Sequence, residues 1–171
     1  MKLSRTARKK PLSRPAHAAI LFGIGAFSFL IAAEEVDEIR DIAGLQSVSM
    51  ATMRTSVAKV KSTFKKSGQS YLVVDGSLHF QMMPSKATRL MLLRNQPVAV
   101  TVDSIDRMTE IGRILSLPKT FTGPERNWYR GLAIVNEKVI PVVNGKAFLT
   151  AAEQVVANSA LSHPTAKGVR A

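Results

Sequence analysis

An apolar run near the N-terminus limits the folds open to this chain. Residues 18–33, AAILFGIGAFSFLIAA, follow a basic stretch and lead into the acidic segment EEVDEIRDI. Sixteen residues are few for a membrane span, which needs about 20, and Gly23 and Gly25 interrupt the run. Its aromatic and β-branched residues suit two buried strands of a closed barrel, AILFGI and FSFLIA, with Gly25-Ala26 at the turn. We favour the two strands, and a secretory signal or signal anchor at 18–33 is the alternative.

Positive charge is concentrated at the N-terminus. The chain has 171 residues, 46% of them hydrophobic, and a formal net charge of +12, which fits one domain with a buried core. Six basic residues and no acidic ones lie in positions 1–17. We expect a flexible basic tail at 1–17, one domain at 18–158 and a flexible tail at 159–171. A nucleic-acid binder that uses the basic tail and segment 54–66 is a second alternative, although stacking platforms and base-reading helices are not recognisable.

Turn-forming residues divide the middle of the chain into short segments. Residues 34–45, EEVDEIRDIAGL, predict a strand that continues into a short helical or turn segment. The polar and basic residues 46–68 predict a long loop or a marginal helix. In SYLVVDGSLHFQMM, Asp75-Gly76 predicts a tight hairpin turn between two strands, and His79 lies in the second of them.

Further strands are predicted in the C-terminal half. A strand, a turn at Asn95-Gln96-Pro97 and a longer strand from Val98 towards Ile111 come first. WYRGLAIVNEKVIPVVN, residues 128–144, then predicts a hairpin with its turn at 136–138. Pro141 cannot donate a backbone hydrogen bond, which favours an edge position or one with the nitrogen turned outward. Residues 146–157 predict a helix with an apolar face of Phe148, Leu149, Ala152, Val155 and Val156.

An internal similarity suggests two halves. LIAAEEVDEI at 30–39 aligns with AVTVDSIDRM at 99–108, an offset of 69 residues. Both segments run from an apolar strand to an acid, then to a β-branched residue and an aspartate. A repeat at about half the domain length predicts two similar β-subdomains, with their boundary near 84–97.

Residues suited to catalysis or metal binding are scarce. The chain has no cysteine and three histidines, which are not at metal-ligand spacing. Asp103 and Asp106 are a candidate pair of catalytic carboxylates, but aspartates at the exposed end of a strand more often make local hydrogen bonds. The sequence contains no nucleophile elbow, phosphate-binding glycine loop or dinucleotide motif. We therefore expect no enzyme activity, no catalytic residue, no metal site and no cofactor.

Three blocks of the sequence resemble the CheW-like domain of bacterial chemotaxis coupling proteins. The first, AILFGIGAFSFLIAAEEVDEIRDI, is similar to the family's opening pair of strands and the valine, acid and isoleucine segment after them. The second, PVAVTVDSIDRMTEI, is similar to the strand that enters the second subdomain. The third, WYRGLAIVNEKVIPVVNGKAFLT, is similar to the closing hairpin and terminal helix. The three blocks occur in the family's order.

This resemblance implies both a fold and a function. The implied fold is mainly β, with two small SH3-like five-stranded β-barrel subdomains that share a core, and a short C-terminal helix. The implied function is that of a cytoplasmic, non-catalytic adaptor in chemotaxis-type signalling, which couples receptors to a histidine kinase or a related partner and has no integral membrane span. Exposed barrel surfaces and edge strands are the expected means of contact.

The chain differs from the family between its two subdomains. Family members usually carry there a strand pair with an asparagine, an Arg-Gly step and a proline. This chain has KVKSTFKKSGQSYLVVDGSLHFQMM at that place and lacks the arginine. The resemblance therefore implies a divergent adaptor.

A partner-binding face is predicted from residue type, because arginine, tryptophan and tyrosine most often dominate interface energetics. We place it on two segments that are far apart in sequence, and the predicted residues are Glu35, Asp37, Arg40, Arg126, Trp128, Tyr129 and Arg130. The alternative for Trp128 and Tyr129 is a place in the barrel core. For Arg126 and Arg130 the alternative is a solvated or locally ion-paired surface.

Overall fold

The computed structural model describes residues 16–45 and 50–162. The described strands are β1 (His17–Ile24), β2 (Phe27–Ala32), β3 (Val36–Asp41), β4 (Met50–Thr52), β5 (Val60–Lys66), β6 (Gln69–Asp75), β7 (Arg89–Leu93), β8 (Val98–Val102), β9 (Ser104–Ile111), β10 (Tyr129–Val135) and β11 (Lys138–Val143). Two α-helices, α1 (Gly76–His79) and α2 (Ala151–Ser162), and three short 3-10 helices at Ala33–Glu35, Pro124–Trp128 and Gly145–Ala147 complete the described elements. Residues 1–15 and 163–171 lie outside this description, and they make up most of the two predicted tails.

The strands form two sheets, which confirms the predicted mainly β fold with two subdomains and a C-terminal helix. The first sheet has five strands in the order β10-β11-β2-β1-β9. The second has six in the order β3-β7-β8-β6-β5-β4, because the three-residue β4 extends it by one strand. Just beyond β9, Leu115 forms an isolated β-bridge with Leu132 of β10. This bridge joins the two edges of the first sheet and closes it into a small barrel.

The apolar run 18–33 forms a hairpin of the first sheet. Strands β1 and β2 pair antiparallel from Ala19↔Ala32 to Ile24↔Phe27, and Gly25 at the turn has a φ of 57°, a left-handed conformation that glycine adopts readily. The prediction of two strands with a turn at Gly25-Ala26 is confirmed. In the part of the chain described, no helix is long and apolar enough to cross a membrane.

Two predictions for the middle of the chain are wrong. Segment 46–68 is not one long loop or helix: residues 46–49 lie outside the description, residues 53–59 form a loop, and β4 and β5 on either side of it pair antiparallel. The hairpin turn is at Ser67 and Gly68, which both have positive φ, and it joins β5 to β6. Asp75-Gly76 is therefore not a hairpin turn, and the residues after it form α1 rather than a strand.

The chemistry of Asp75 and Gly76 explains the helical turn. The Asp75 carboxylate accepts hydrogen bonds from the Leu78 amide (3.2 Å) and the Ser77 hydroxyl (2.6 Å), which is the way an aspartate caps a helix. A Cβ atom on Gly76 would overlap the Thr101 carbonyl oxygen and lie 2.8 Å from Ile24 Cδ1. Glycine is thus needed for close packing here, and not for a positive φ.

Central strands are buried on both faces, and this produces three apolar clusters. In β1, Ile20, Phe22 and Ile24 face the main cluster between the sheets, while Ala19 and Leu21 face the interior of the first barrel. Strands β6, β7 and β8 alternate in the same way between the main cluster and the interior of the second sheet. Two-sided burial requires apolar residues at successive positions, which is why 18–33 resembles a membrane segment in composition.

The internal similarity marks the two places where the chain passes between the sheets. Segment 30–39 leaves β2 of the first sheet and enters β3 of the second, and segment 99–108 leaves β8 of the second and enters β9 of the first. The long strand predicted from Val98 to Ile111 is therefore two strands, interrupted at Asp103. The Asp103 carboxylate accepts hydrogen bonds from the Gly25 amide (2.6 Å) and the Ser85 hydroxyl (2.7 Å), which bind the crossover to both neighbouring loops.

The predicted edge position of Pro141 is wrong. The C-terminal hairpin itself is confirmed, since β10 and β11 pair antiparallel with Leu132 opposite Pro141. However, β11 lies between β10 and β2. Leu132 exchanges its backbone hydrogen bonds with Leu115, on the side away from β11, so Leu132 and Pro141 form a pair without hydrogen bonds. The proline nitrogen consequently faces β2, to which β11 is paired only at Val142↔Leu30.

The predicted apolar face of the C-terminal helix is also wrong in part. Phe148 and Leu149 are buried but precede α2, and the Thr150 hydroxyl accepts the Glu153 amide (3.2 Å) and caps a new helix. The helical phase therefore starts again at 151. Ala157 is buried, whereas Val155 is 67% exposed and Val156 43%.

His79 is a buried member of α1, not of a strand. It is 2% exposed, and its ring lies 4.8–4.9 Å from the rings of Phe80, Trp128 and Phe148. Burial, assisted by the nearby Lys59 ammonium, lowers the pKa of His79 to about 3. The imidazole is therefore neutral wherever the protein is folded near neutral pH.

Gly76→Ala should destabilise the protein by about 1–3 kcal/mol, because the added methyl group overpacks the contact between α1 and β8. Urea unfolding followed by circular dichroism measures this change. Gly112→Ala is the matched control, since no atom lies within 4 Å of a Cβ added there. Equal stability of the two variants would contradict the packing role of Gly76.

Stability should fall as the pH is lowered from 7 to 5. The unfolded chain protonates His79 near its ordinary pKa of 6.5, whereas the folded chain does so only at about 3. The unfolded state thus binds more protons in this window, at a cost to folding of up to about 1.4 kcal/mol per pH unit. His79→Phe should flatten the pH dependence measured by urea unfolding, and His17→Gln is the control for loss of one histidine. Identical slopes for wild type and His79→Phe would count against this assignment.

Candidate partner-binding surface

Glu35 connects the two segments on which the partner-binding face was predicted. Its carboxylate forms an ion pair with Arg130 of β10 and accepts a hydrogen bond from the Gly145 amide (2.7 Å). The Glu35 side chain is 14% exposed, against 38% for Arg130. A Cβ atom on Gly145 would overlap the Glu35 carboxylate, so this glycine allows the close approach. The crossover after β2 is thus bound to the C-terminal hairpin.

The same crossover is bound to the second sheet. The Arg94 amide donates to the Glu35 carbonyl oxygen (2.8 Å), and the Arg94 guanidinium donates to the Val36 carbonyl oxygen (3.2 Å). Gln96 donates to the Gly145 carbonyl oxygen (3.0 Å). Glu35 therefore lies at a junction between the two sheets. Its carboxylate and its backbone carbonyl oxygen are both bonded to other residues of this chain.

Asp37 and Arg40 belong to a charged network on β3. Lys66 of β5 lies 3.2 Å from the Asp37 carboxylate and 2.5 Å from that of Glu38. Arg40 pairs with Glu38 (2.7 Å), and its guanidinium carbon lies 5.6 Å from the centre of the Phe64 ring. The hydrogen bond from Lys66, followed by that from Arg40, lowers the pKa of Glu38. This network joins β3 to β5 across the open side of the second sheet.

Arg126, Trp128 and Tyr129 make their contacts inside the molecule. The Arg126 guanidinium donates to the carbonyl oxygens of Pro118 (3.0 Å) and Phe121 (2.7 Å), and thereby closes the loop before β10. Trp128 and Tyr129 are partly buried against the main cluster. Burial, with a smaller effect of the Glu125 carboxylate, raises the pKa of the Tyr129 hydroxyl.

Three large apolar side chains are exposed side by side on the first sheet. Phe27 is 63% exposed, Ile134 60% and Val139 62%. Ile134 and Val139 are opposite each other in the β10–β11 pair. Val142 is level with Leu30 in the parallel pair of β11 and β2, so Val139 and Phe27, each three residues earlier, are at corresponding positions of the two neighbouring strands. We call these three residues the apolar row.

The apolar row is the uncovered end of the face that packs against the second sheet. Along β2, Ile31 and Phe29 are buried in the main cluster, and Phe27, two residues further on the same face, is exposed. Along β11, Val143 is buried, Pro141 is half-buried and Val139 is exposed. The core thus continues into a solvent-facing apolar surface on adjacent strands. Contiguous exposed apolar patches are typical of protein contact sites.

Sequence reasoning did not identify the apolar row, although part of a signal was present. Period-2 alternation in FSFLIA and KVIPVV gives the face of each residue, but it does not show where the cover provided by the other sheet ends. The parallel neighbourhood of β2 and β11, which are more than 100 residues apart, is also invisible to local patterns. Only their pairing brings Phe27 next to Val139.

Asp103 and Asp106, the candidate pair of catalytic carboxylates, make structural hydrogen bonds. Within 16–45 and 50–162, no group of three or more His, Asp or Glu side chains is placed to hold a metal ion. Asp103 and Asp106 are not a working pair: Asp106 accepts a hydrogen bond from the Ser104 hydroxyl (2.9 Å), while Asp103 holds the crossover. The first sheet offers the exposed apolar row at one end and the charged junction of Glu35 and Arg130 at the other, and exposed apolar area of this kind suits protein binding.

Comparisons with known proteins agree with the fold. A family model described as the CheW-like domain matches residues 18–153. The crystal structure of the scaffolding protein TtCheW from Thermoanaerobacter tengcongensis superposes with a TM-score of 0.65 at 15% sequence identity, covering 76% of this chain and 90% of that one. No curated protein is similar enough in sequence to match.

The family match spans both sheets, both crossovers and the start of α2, and the superposed scaffolding protein has the same fold. These regions include all three sequence blocks on which the resemblance was based. The chain belongs to the CheW-like domain family.

Proposed function

We propose that this protein is a non-catalytic adaptor in chemotaxis-type signalling, which links a receptor to a histidine kinase or a related signalling protein by reversible contacts. The observation that carries the proposal is the apolar row of Phe27, Val139 and Ile134, exposed on a CheW-like module. Burial of three such side chains contributes several kcal/mol before the costs of association, on the scale of about 1.5–3 kcal/mol each. Such a contact is strong enough to be specific and weak enough to be reversible.

The residues predicted for the partner face have a supporting part in this proposal. Glu35 and Arg130 hold the β10–β11 hairpin, which carries Val139 and Ile134, against the crossover. Trp128 and Tyr129 fix the start of the same hairpin on the core. Asp37 and Arg40 are half-exposed in their network on β3, which gives the second sheet a charged margin. Charged margins of this kind favour correct orientation and fast association more than affinity.

Two of the five basic residues in segment 54–66 are engaged by carboxylates within the molecule. In segment 54–66, Lys59 pairs with Glu153, and Lys66 pairs with Asp37 and Glu38. The ammonium groups of Lys59 and Lys66 are thus not free to neutralise phosphates, whereas Arg54, Lys61 and Lys65 of the same segment are exposed. The basic residues of 1–15 lie outside the described part of the chain.

Val139→Asp should weaken binding to the receptor or kinase partner at least about tenfold, because it places a charge in the centre of the apolar row. The partner is identified by pull-down from the native cell and the affinity is then measured with purified proteins. Met108→Asp is the matched control, since Met108 is 66% exposed on β9, away from the row. The proposal fails if Val139→Asp leaves the affinity unchanged, or if Met108→Asp weakens it equally.

Glu35 and Arg130 should be strongly coupled in a double-mutant cycle. The Glu35 carboxylate is mostly buried, so removal of Arg130 leaves a desolvated charge without its ion pair. We expect a coupling of about 1–2 kcal/mol in urea unfolding of Glu35→Gln, Arg130→Gln and the double variant. The exposed pair Asp41–Arg89 (2.6 Å) is the control, and its coupling should be about 0.2–0.5 kcal/mol. Equal coupling in the two cycles would contradict the junction role of Glu35.

A further inference from the structure

Lys59 is a mostly buried cation that depends on the C-terminal helix for its counter-charge. Its side chain is 17% exposed, and its ammonium group lies 3.0 Å from the Glu153 carboxylate of α2. Among the ion pairs of the described residues, Glu153 is the acid paired with Lys59. A cation withdrawn from water in this way is costly unless a carboxylate is supplied.

His79 lies on the other side of the Lys59 ammonium. The distance from Lys59 Nζ to His79 Nδ1 is 3.5 Å. Because an ammonium group only donates hydrogen bonds, Nδ1 is the acceptor and the imidazole proton is on Nε2. A cleft of about 380 Å³ beside this pair is lined by Lys59, His79, Asn127, Trp128, Thr150 and Glu153. The cleft therefore combines a cation, aromatic walls and a polar margin.

The helix that supplies Glu153 is weakly attached. Of its residues, Ala157 is fully buried in the main cluster, whereas Val155, Val156 and Leu161 are 67, 43 and 41% exposed. Glu153 is also its only charged residue. A helix with apolar residues on its outward side and one small residue in the core gains little from burial. The ion pair between Glu153 and Lys59 therefore adds to the burial of Ala157 in attaching α2 to the rest of the molecule.

We propose that Lys59, His79 and Trp128 form a carboxylate-accepting pocket, in which Glu153 of α2 is a resident occupant that an acidic residue on a partner's amphipathic helix replaces. Charge complementarity selects this occupant, because the partly buried ammonium requires an anion. Val155, Val156 and Leu161 are exposed with α2 in place, and release of the helix uncovers the part of the main cluster that Ala157 occupies. The pocket is separate from the apolar row, so the inference goes beyond the adaptor function proposed above.

Glu153→Gln in the full chain tests whether the ion pair between Glu153 and Lys59 holds α2 in place. Glutamine keeps the capping contact with Thr150, which Glu153 makes through a backbone hydrogen bond of 2.8 Å, but it removes the charge that faces Lys59. We expect amide exchange in α2 to accelerate about tenfold while exchange in β6, β7 and β8 is unchanged. Acrylamide quenching of the single tryptophan, Trp128, should increase. Glu137→Gln, which removes an exposed glutamate at the β10–β11 turn, is the charge-matched control.

A peptide supplied in trans tests the occupant. The probe is a synthetic peptide of residues 150–162, TAAEQVVANSALS, compared at millimolar concentration with the same peptide carrying Gln for Glu. The Glu peptide should restore protection of Trp128 in the Glu153→Gln protein, and the Gln peptide should not. If Glu153→Gln and Glu137→Gln are alike in amide exchange of α2 and in quenching of Trp128, the ion pair with Lys59 does not hold α2 in place and the proposal is overturned. If the two peptides act alike, including no effect from either, the acidic occupant is overturned.

Discussion

Burial of the central strands on both faces is the constraint on which this structure depends. A sheet that is covered on one side only needs alternating polar and apolar residues, but β1, β6, β7 and β8 contribute side chains to a barrel interior on one face and to the main cluster on the other. The two subdomains therefore cannot separate without exposing the main cluster. Because one core is shared, the crossovers between the sheets must be fixed, and Asp103 and Glu35 fix them with bonds to backbone amides.

The candidate surface follows from the same constraint. The face of β2 and β11 that packs on the second sheet is longer than the sheet that covers it, so its last residues, Phe27 and Val139, emerge into solvent. Ile134 joins them from β10. The Glu35–Arg130 ion pair keeps the hairpin level with β2 at the other end of this face. Core packing and the proposed partner contact are thus parts of one continuous apolar layer, which explains why the rigid core would present the surface in a fixed geometry.

The errors of sequence interpretation have a common physical origin. Segment 46–68 has few large apolar residues, yet β5 forms a strand by pairing with the strongly apolar β6, and tertiary context here outweighs local preference. Asp75-Gly76 has the composition of a hairpin turn, but parallel pairing of β6 with β8 leaves no partner for a second strand there. Asp75 caps a helical turn instead. Residue type alone does not show the contacts of the predicted site residues: in the structure Glu35 pairs with Arg130, and Arg126 donates to loop carbonyl groups.

The sequence by itself determined the mainly β class, the hairpins at 18–33 and 128–144 and the existence of two related halves, because strand periodicity, turn glycines and internal similarity are local properties of the chain. The blocks resembling CheW-like domains also pointed to the family that the match over 18–153 establishes. Only the tertiary structure decided which apolar residues are covered, since burial depends on strands distant in sequence. The same holds for the apolar row and for the pocket of Lys59, His79 and Trp128: each is assembled by packing between segments that carry no mutual signal along the chain.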